Sequence, residues 1–205
     1  CSLIAIDAKS GKILWSYQDV EYDLWDYDLV GTPIILNNNK DIDAVLALGK
    51  TGNILYFNSI SGEPIFADSI KEVNVQKSDI IGVDNSNKQK IIIRPEPFFN
   101  IEVDPLRDLR FQDHTAKIYL EHKLRHAKYG FFQPPSTDYD VVIKGIHGGA
   151  EWPGGSLHVD KNILVVPSNN NPWIIRVDYR DTRLDKIKNI LSKLCSLSRP
   201  QSLYL

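Results

Sequence analysis

The chain has 205 residues, of which 42% are hydrophobic and 24% are charged, and this composition is typical of a folded globular protein rather than a disordered or fibrous one. Its formal net charge of -2 leaves no basic surplus to neutralise a phosphate backbone, so we expect no nucleic acid partner. No apolar run approaches the roughly 18 residues that cross a bilayer, and the first residues lack the basic flank of a signal peptide.

Two segments that lie 51 residues apart predict equivalent β-hairpins. Residues 4–15 and residues 55–66 each consist of an alternating strand, a polar turn closed by glycine, and a second strand that ends on an aromatic side chain. The matching residues are Asp7 and Asn58, Ser10 and Ser61, Gly11 and Gly62, and Trp15 and Phe66. Hairpins repeated at this period are typical of β-propellers, in which each blade buries its faces against its neighbours. We therefore predict an all-β fold, a β-propeller of four-stranded antiparallel blades docked by tryptophans such as Trp15.

The segments that follow the two hairpins supply further elements of this fold. Residues 156–167 predict a third hairpin, with its turn at Lys161 and Asn162. Residues 71–99 are first polar and then punctuated by proline, and we interpret them as an excursion between blades. A short helix is expected within residues 113–128, where proline is absent.

The length of the chain predicts an incomplete ring. At about 50 residues per blade the chain supplies about three to four blades, roughly half of a large closed propeller. We interpret residues 1–180 as a partial propeller domain and residues 181–205 as a divergent tail, helical because its apolar residues fall at helical spacing. Since the chain contains no Met and opens inside an alternating apolar segment, we expect it to be a fragment. Cys1 and Cys195 match no metal-binding spacing; a long-range disulfide is open, but two free thiols are favoured.

Five motifs occur in an order that resembles one enzyme family. Residues 15–18 read W-S-Y-Q, residues 23–28 read D-L-W-D-Y-D, residues 49–53 read G-K-T-G-N, residues 129–136 read Y-G-F-F-Q-P-P-S, and residues 147–155 read H-G-G-A-E-W-P-G-G. Together they resemble the membrane-bound glucose and quinate dehydrogenases that depend on pyrroloquinoline quinone (PQQ), over residues 3 to about 178. The sequence differs from the family pattern at Glu21 and Tyr22, where the family has a pair of histidines. The resemblance therefore does not specify which residues contact the substrate.

The resemblance implies the residues that act on an alcohol. Oxidation by an ortho-quinone requires a base for the hydroxyl proton and a positive charge beside the quinone oxygens. By the resemblance, Asp26 is the catalytic base and Lys50 is the cation. Trp152, whose flat ring suits a tricyclic quinone, and Glu151 are further candidates for cofactor binding. A divalent cation, usually calcium in this family, is expected beside the quinone, with its main ligands upstream of residue 1.

Each candidate also has a purely structural interpretation. Asp26 could cap a turn in an acidic loop, and Lys50 by itself is a common turn residue, so only their pairing favours catalysis. Trp152 could equally lock adjacent blades, and Glu151 could equally be a surface carboxylate.

Two other patterns are interpreted structurally. His122 and His126 have the spacing of one helix face, but no third metal ligand is evident, so a solvated pair is favoured. The glycine pairs at residues 148–149 and 154–155 indicate close backbone approach rather than a phosphate-binding loop, because no long helix follows them.

Two functions from different classes follow. The first is a periplasmic quinoprotein dehydrogenase, associated with the inner membrane through parts outside this chain, which passes electrons from a sugar, polyol or alcohol through PQQ to a membrane quinone. The second is a non-catalytic scaffold, since similar propellers serve only as binding surfaces. The pairing of Asp26 with Lys50 favours the enzyme. The isolated fragment is expected to be inactive and to bind PQQ weakly, because an open ring lacks part of the cofactor's walls.

Overall fold

The computed structural model describes residues 1–38, 42–99, 102–104, 113–150 and 152–178. The strands are β1 (Ser2–Ile6), β2 (Ile13–Gln18), β3 (Ile34–Asn38), β4 (Ile42–Leu48), β5 (Ile54–Asn58), β6 (Ile70–Asn74), β7 (Lys88–Ile92), β8 (Lys128–Tyr129), β9 (Val141–Lys144), β10 (Ser156–His158), β11 (Ile163–Val165) and β12 (Pro172–Ile175). Helix α1 (His114–Arg125) and a short 3-10 helix (Val159–Lys161) complete the described elements. The strands form small sheets in the orders β1-β2, β3-β4-β5, β6-β7, β12-β9-β8 and β10-β11. Mostly strands in small sheets, with little helix, is the arrangement expected for a β-propeller, while the number of blades and the docking by tryptophans stay predictions.

The two repeated turns have the same hydrogen bonds. The Oδ1 atom of Asp7 accepts from the backbone N of Ser10 at 2.6 Å, and the Oδ1 atom of Asn58 accepts from the backbone N of Ser61 at 2.9 Å. Each turn is closed by a glycine in the left-handed region, with φ of 70° in the first and 73° in the second. A short polar side chain that bonds to the backbone two or three residues later is the usual way of fixing such a turn. The predicted equivalence of the two hairpins is confirmed at this level.

Trp15 joins the first hairpin to the turn of the second. Its Nε1 atom donates to the carbonyl oxygen of Ser59 at 3.0 Å. A Cβ atom on Gly62 would lie 2.5 Å from atoms of the Trp15 ring, so only glycine allows this approach. The corresponding Gly11 has no atom within 4 Å of a built Cβ. The two glycines therefore share a backbone conformation and differ in what packs on them.

This difference gives a matched pair of variants. Gly11→Ala is expected to lower the free energy of unfolding by about 1–2 kcal/mol, the cost of placing a Cβ atom in the left-handed region. Gly62→Ala is expected to cost about 1–3 kcal/mol more, because the methyl group also displaces Trp15. Urea unfolding of the 205-residue chain measures both. Equal losses in the two variants would show that the contact with Trp15 contributes nothing to stability.

The second repeat belongs to a larger antiparallel sheet. Strand β4 pairs with β3 on one side and with β5 on the other, both antiparallel. Beyond β5, Pro64 forms an antiparallel bridge with Phe57, and the backbone N of Ile65 donates to the carbonyl oxygen of Tyr56 at 3.0 Å. Four consecutive extended segments thus run side by side, although the fourth is shorter than a regular strand.

The third predicted hairpin is confirmed, but one strand pair differs from the prediction. Strands β10 and β11 pair antiparallel, and Asn162 takes the left-handed conformation in their turn. Strand β8, however, pairs parallel with β9. The connection between β8 and β9 contains Pro134 and Pro135, which have no backbone N–H to donate to a strand ladder. This connection brings the chain back to the end at which β8 began, so β9 runs in the same direction as β8. An entirely antiparallel arrangement was therefore wrong at this point.

Helix α1 lies where the sequence predicts it. Asp113 caps its N-terminus, and the Oδ2 atom accepts from the backbone N of Ala116 at 3.0 Å. Leu124 is its buried residue. His122 and His126 are exposed, with ring centroids 6.2 Å apart, and in the described part of the chain no cluster of metal ligands includes them. The predicted tail helix, at residues 181–205, lies outside the described residues.

Within the described residues, two apolar clusters contribute to the core. The first consists of Val20, Trp25, Tyr27, Val75, Phe132, Val141 and Ile143. The second consists of Leu3, Val45, Ala47, Leu55, Phe57 and Ile92. The first cluster lies beneath the segment that contains Asp26, so the packing of that core positions the candidate site.

Candidate functional site

One carboxylate shapes the acidic loop, which comprises residues 21–28. Asp23 accepts from the backbone N of Trp25 at 2.9 Å through Oδ1, and from the backbone N of Tyr27 at 2.8 Å through Oδ2. These bonds turn the chain sharply. Trp25 and Tyr27 are buried, whereas Asp26 between them is exposed. The loop therefore presents Asp26 outward from two aromatic anchors.

Both anchors end on the backbone of a motif more than 100 residues away. The Nε1 atom of Trp25 donates to the carbonyl oxygen of Gln133 at 2.8 Å. The hydroxyl group of Tyr27 donates to the carbonyl oxygen of Phe131 at 2.7 Å. The F-F-Q-P-P-S motif thus supports the acidic loop. Sequence reasoning had placed the two motifs in one family pattern without predicting that they touch.

Asp26 and Lys50 are brought together. The Nζ atom of Lys50 lies 2.8 Å from Oδ2 of Asp26 and 3.3 Å from Oδ2 of Asp28. The Lys50 side chain is only 9% exposed, whereas that of Asp26 is 61% exposed. Burial lowers the pKa of Lys50, but hydrogen bonds and charge attraction from Asp26 and Asp28 offset this, so its pKa lies above the ordinary value. The ammonium group is therefore charged at neutral pH.

The backbone at Asp26 is unusual. Its φ angle is +61°, in the left-handed region that non-glycine residues rarely adopt. Residues held in this region cluster at functional sites, where the surrounding structure maintains the strain. At Asp26 the bonds of Asp23 to the flanking residues provide that constraint.

The glycine-rich segment approaches the backbone of Lys50. Gly149 has φ of +62°, and a Cβ atom there would lie 2.5 Å from Cα of Lys50. The backbone N of Ala150 donates to the carbonyl oxygen of Gly49 at 3.3 Å. The prediction of close backbone approach is confirmed. Glycine is required here by contact with another chain segment rather than by a bound phosphate.

Trp152 lies in the same segment, with its side chain facing solvent. It is 78% exposed, and its ring packs against no other aromatic ring in the part of the chain that the structure describes. Two residues later, Gly154 lies so close to Gly31 that a Cβ on Gly31 would be 2.9 Å from Cα of Gly154. The interpretation of Trp152 as a lock between blades gains no support, and its ring face is open. Glu151 lies outside the described residues.

A buried carboxylate that contacts Thr51, the residue after Lys50, was missed by sequence reasoning. Asp19 is 1% exposed, and it accepts from Oγ1 of Thr51 and from Nδ2 of Asn53, each at 3.2 Å. Burial raises the pKa of Asp19 from 3.8 to about 6, although the bonds from Asn53 and Thr51 limit the rise. The only signal in the sequence was an acid immediately after a strand that ends in W-S-Y-Q, and that position alone does not reveal burial.

The raised pKa of Asp19 predicts a pH dependence of stability. The folded chain retains this proton up to about pH 6, whereas the unfolded chain loses it near pH 3.8, so stability falls as pH rises through this window. Asp19→Asn removes that penalty. Relative to the parent, its free energy of unfolding should therefore rise between pH 4 and pH 7, by up to about 3 kcal/mol. Urea unfolding across this range measures the difference, and a constant difference would contradict the burial of an ionisable Asp19.

Cys1 lies close to two carboxylates of the acidic loop. Its thiol donates to Oδ2 of Asp23 at 3.2 Å and lies 3.7 Å from Oδ1 of Asp28. These three are the candidate metal ligands that come together within the described ranges. Asp23 already uses both oxygens to hold the acidic loop, which favours a structural role. Cys1 forms no disulfide with a described residue, and Cys195 lies outside the described residues.

The described helices include none that is long and apolar enough to cross a membrane.

Comparison with known proteins places these features in a family. The profile of the family described as PQQ glucose/ethanol/alcohol dehydrogenase, β-propeller domain, matches residues 1–195. The chain is 26% identical over 186 residues to quinoprotein glucose dehydrogenase A of Acinetobacter calcoaceticus, which covers 86% of this chain and 23% of that protein. It is 24% identical over 177 residues to the glycerol dehydrogenase large subunit of Gluconobacter oxydans, covering 83% and 24% respectively. It is 27% identical over 164 residues to the quinate/shikimate dehydrogenase (quinone) of Acinetobacter baylyi, covering 78% and 20%.

The chain therefore spans about a fifth to a quarter of the length of these relatives. No solved structure matches it.

Proposed function

Because the chain belongs to the family of the β-propeller domain of PQQ-dependent glucose, ethanol and alcohol dehydrogenases, we propose that it contributes part of the active site of a dehydrogenase that oxidises an alcohol, polyol or sugar. The observation that supports this best is the ion pair between the exposed Asp26 and the buried Lys50. A scaffold has no need of a strained, outward-facing carboxylate beside a buried ammonium group. In this proposal residues 1–180 are the partial propeller domain and residues 181–205 a separate tail.

The donor set suits PQQ. The cofactor carries carboxylates and quinone oxygens, all of them hydrogen-bond acceptors, and the charged ammonium group of Lys50 is a donor for such atoms. The exposed ring of Trp152 offers a flat face for stacking. Lys50 and Trp152 would therefore hold the cofactor, with Glu151 as a further candidate contact. When bound, PQQ would supply an oxidised ortho-quinone, the acceptor needed for the hydride of the alcohol carbon.

Asp26 would accept the hydroxyl proton of the substrate. Its Oδ2 atom holds Lys50, while its Oδ1 atom has no hydrogen-bond partner among the described residues. One oxygen is thus oriented by the protein and the other is free to receive a proton, which is the arrangement expected of a general base. The buried aromatic anchors on either side fix the direction of the carboxylate.

Lys50 would stabilise the negative charge that develops on the quinone oxygens as the substrate is oxidised. Its low exposure strengthens this effect, because water screens the charge less than at the surface. Calcium, expected beside the quinone in this family, would add to the same stabilisation, with its main ligands outside this chain.

The names of the relatives support a substrate class. Their names specify glucose, glycerol and quinate or shikimate, all of which offer a secondary alcohol or a hemiacetal hydroxyl group. We propose a substrate of this kind, a membrane quinone as electron acceptor, and a periplasmic location at the inner membrane. The His pair of the family is replaced here by Glu21 and Tyr22, and the side chain of Tyr22, which is 65% exposed, is accessible to a substrate.

The test is reconstitution of the complete protein that contains this chain. Apo protein is titrated with PQQ and calcium and assayed with glucose, glycerol and quinate, using a soluble quinone analogue as acceptor. We expect at least one substrate to be oxidised, and only after PQQ is added. A correctly folded protein that binds PQQ and oxidises none of these alcohols, or that binds no PQQ, would instead support a non-catalytic scaffold.

A further inference from the structure

A buried carboxylate lies beside the turn that presents Lys50. Asp19 and its partners Thr51 and Asn53 are 1%, 0% and 2% exposed. Among the described residues no Lys, Arg or His side chain forms an ion pair with Asp19. A buried carboxylate without a cation is costly, and neutral side chains can satisfy the same two donors at lower cost. The two hydrogen bonds by which Asp19 holds this turn, rather than its charge, therefore call for a functional explanation.

The hydrogen-bond partners of Asp19 lie directly after Lys50 in the chain. Thr51 follows Lys50 directly, and its Oγ1 atom donates to Oδ2 of Asp19. The turn is closed by a bond from the backbone N of Gly52 to the carbonyl oxygen of Gly49 at 3.1 Å. On its other side, the backbone N of Lys50 donates to the carbonyl oxygen of Asp28 at 3.0 Å. The main chain of Lys50 is thus held by the acidic loop on one side and by Asp19 on the other.

Asp19 is itself fixed in place. Its backbone N donates to the carbonyl oxygen of Cys1 at 3.0 Å, at the edge of the β1-β2 hairpin. The next residue, Val20, is 1% exposed and belongs to the apolar cluster beneath the acidic loop. The carboxylate is therefore a rigid link between the first hairpin and the turn of residues 49–53.

We propose that Asp19 is a positioning residue for Lys50, which it orients through Thr51 and Asn53 so that the ammonium group meets both Asp26 and the quinone oxygens. This inference rests on the proposed function, in which Lys50 faces the cofactor. Asp19 touches neither substrate nor cofactor. Its effect is expected only through Lys50, and this distinguishes it from a residue that merely stabilises the fold.

A double-mutant cycle tests this link. The variants are Asp19→Ala, Lys50→Ala and their combination in the complete PQQ-reconstituted protein, with kcat and the PQQ dissociation constant as separate readouts. We expect Asp19→Ala to lower kcat roughly ten- to a hundredfold, the range for a small displacement of a catalytic group. In the Lys50→Ala background the same change should cost less than about twofold, because the residue that it positions is gone.

Two further variants separate positioning from folding. Asp19→Asn keeps an oxygen for Thr51, and the amide of Asn53 can rotate to meet the new amide, so kcat should recover to within about threefold of the parent. Asn85→Ala removes a side chain that is also 1% exposed and hydrogen-bonded to backbone, at residues 76, 78 and 86. Its effect should be the same with and without Lys50. If Asp19→Ala does not fold, Asn53→Ala replaces it in the cycle, since it removes one of the two bonds.

The outcomes distinguish this inference from the proposed function. Suppose that Lys50→Ala lowers kcat, and that Asp19→Ala lowers kcat by the same factor with and without Lys50, as Asn85→Ala is expected to do. Asp19 is then only structural and the inference is wrong. If Lys50→Ala changes neither kcat nor PQQ affinity, the proposed function fails and the inference fails with it. Coupling between Asp19 and Lys50 in both kcat and PQQ affinity would support the inference.

Discussion

If the proposed function is correct, replacing Asp26 with Asn is expected to lower turnover of the PQQ-loaded complete protein by a factor on the order of 10² to 10⁴, the usual contribution of a general base. The amide preserves the shape of the side chain and can still offer an oxygen to Lys50, but it cannot take up the hydroxyl proton. PQQ content should therefore match that of the parent. Steady-state assays of the reconstituted complete protein, together with absorbance measurement of bound PQQ, check both statements.

Asp28→Asn is the matched control for Asp26→Asn. Asp28 is an acid of the same loop and also bonds to Lys50, at 3.3 Å instead of 2.8 Å, with a less exposed side chain. If charge balance around Lys50 were all that mattered, the two variants would lose similar activity. We expect Asp28→Asn to stay within about tenfold of the parent, since it removes charge but no base. Equal losses in both variants would remove Asp26 from the role of base.

Replacing Lys50 with Ala is expected to lower kcat by a factor on the order of 10² to 10³, the range measured when one preorganised donor to a developing negative charge is removed. The change should also weaken PQQ binding, because a charged donor to the cofactor is lost. The two variants should thus differ in kind, since Asp26→Asn affects turnover and Lys50→Ala affects turnover and cofactor affinity. PQQ titration of the apo protein measures the second effect.

Lys90→Ala is the matched control for Lys50→Ala. Lys90 also faces the acidic loop, with Nζ 3.7 Å from Glu21, but its side chain is 43% exposed and the pair is therefore screened by water. We expect kcat and PQQ affinity to change less than twofold. If Lys90→Ala reproduced the losses of Lys50→Ala, the effect would reflect overall positive charge near the loop rather than a specific contact with the cofactor.

Local features of the fold were predictable because they depend on residues close in sequence. The turns at Asp7 and Asn58 are set by hydrogen bonds that span two or three residues, so the repeated pattern identified both hairpins correctly. Helix α1 was predicted from a stretch without proline, whereas its N-terminal cap, Asp113, was identified only in the structure. The pairing of Asp26 with Lys50 followed from the family resemblance, since spacing alone carries no information about a 24-residue separation.

Long-range contacts were not predictable in this way. The hydrogen bonds of Trp25 and Tyr27 end on carbonyl oxygens more than 100 residues away, and backbone acceptors leave no trace in the residue types at those positions. The burial of Asp19 depends on Thr51 and Asn53, which lie on another element. The parallel pairing of β8 likewise depends on the path of the connection that follows it. Such features are set by tertiary packing, which single-sequence patterns do not encode.

The central claim, that Asp26 removes the proton of an alcohol oxidised by PQQ, is tested most directly by a single turnover without electron acceptor. The PQQ-loaded complete protein is mixed rapidly and anaerobically with its best substrate, and the absorbance of the oxidised cofactor is followed. We predict that the parent loses this absorbance in proportion to its active sites, while Asp26→Asn loses it at least a hundredfold more slowly at equal PQQ content. Loss of absorbance at the same rate in both proteins, or no loss in the parent with any of the alcohols tested, would contradict the claim.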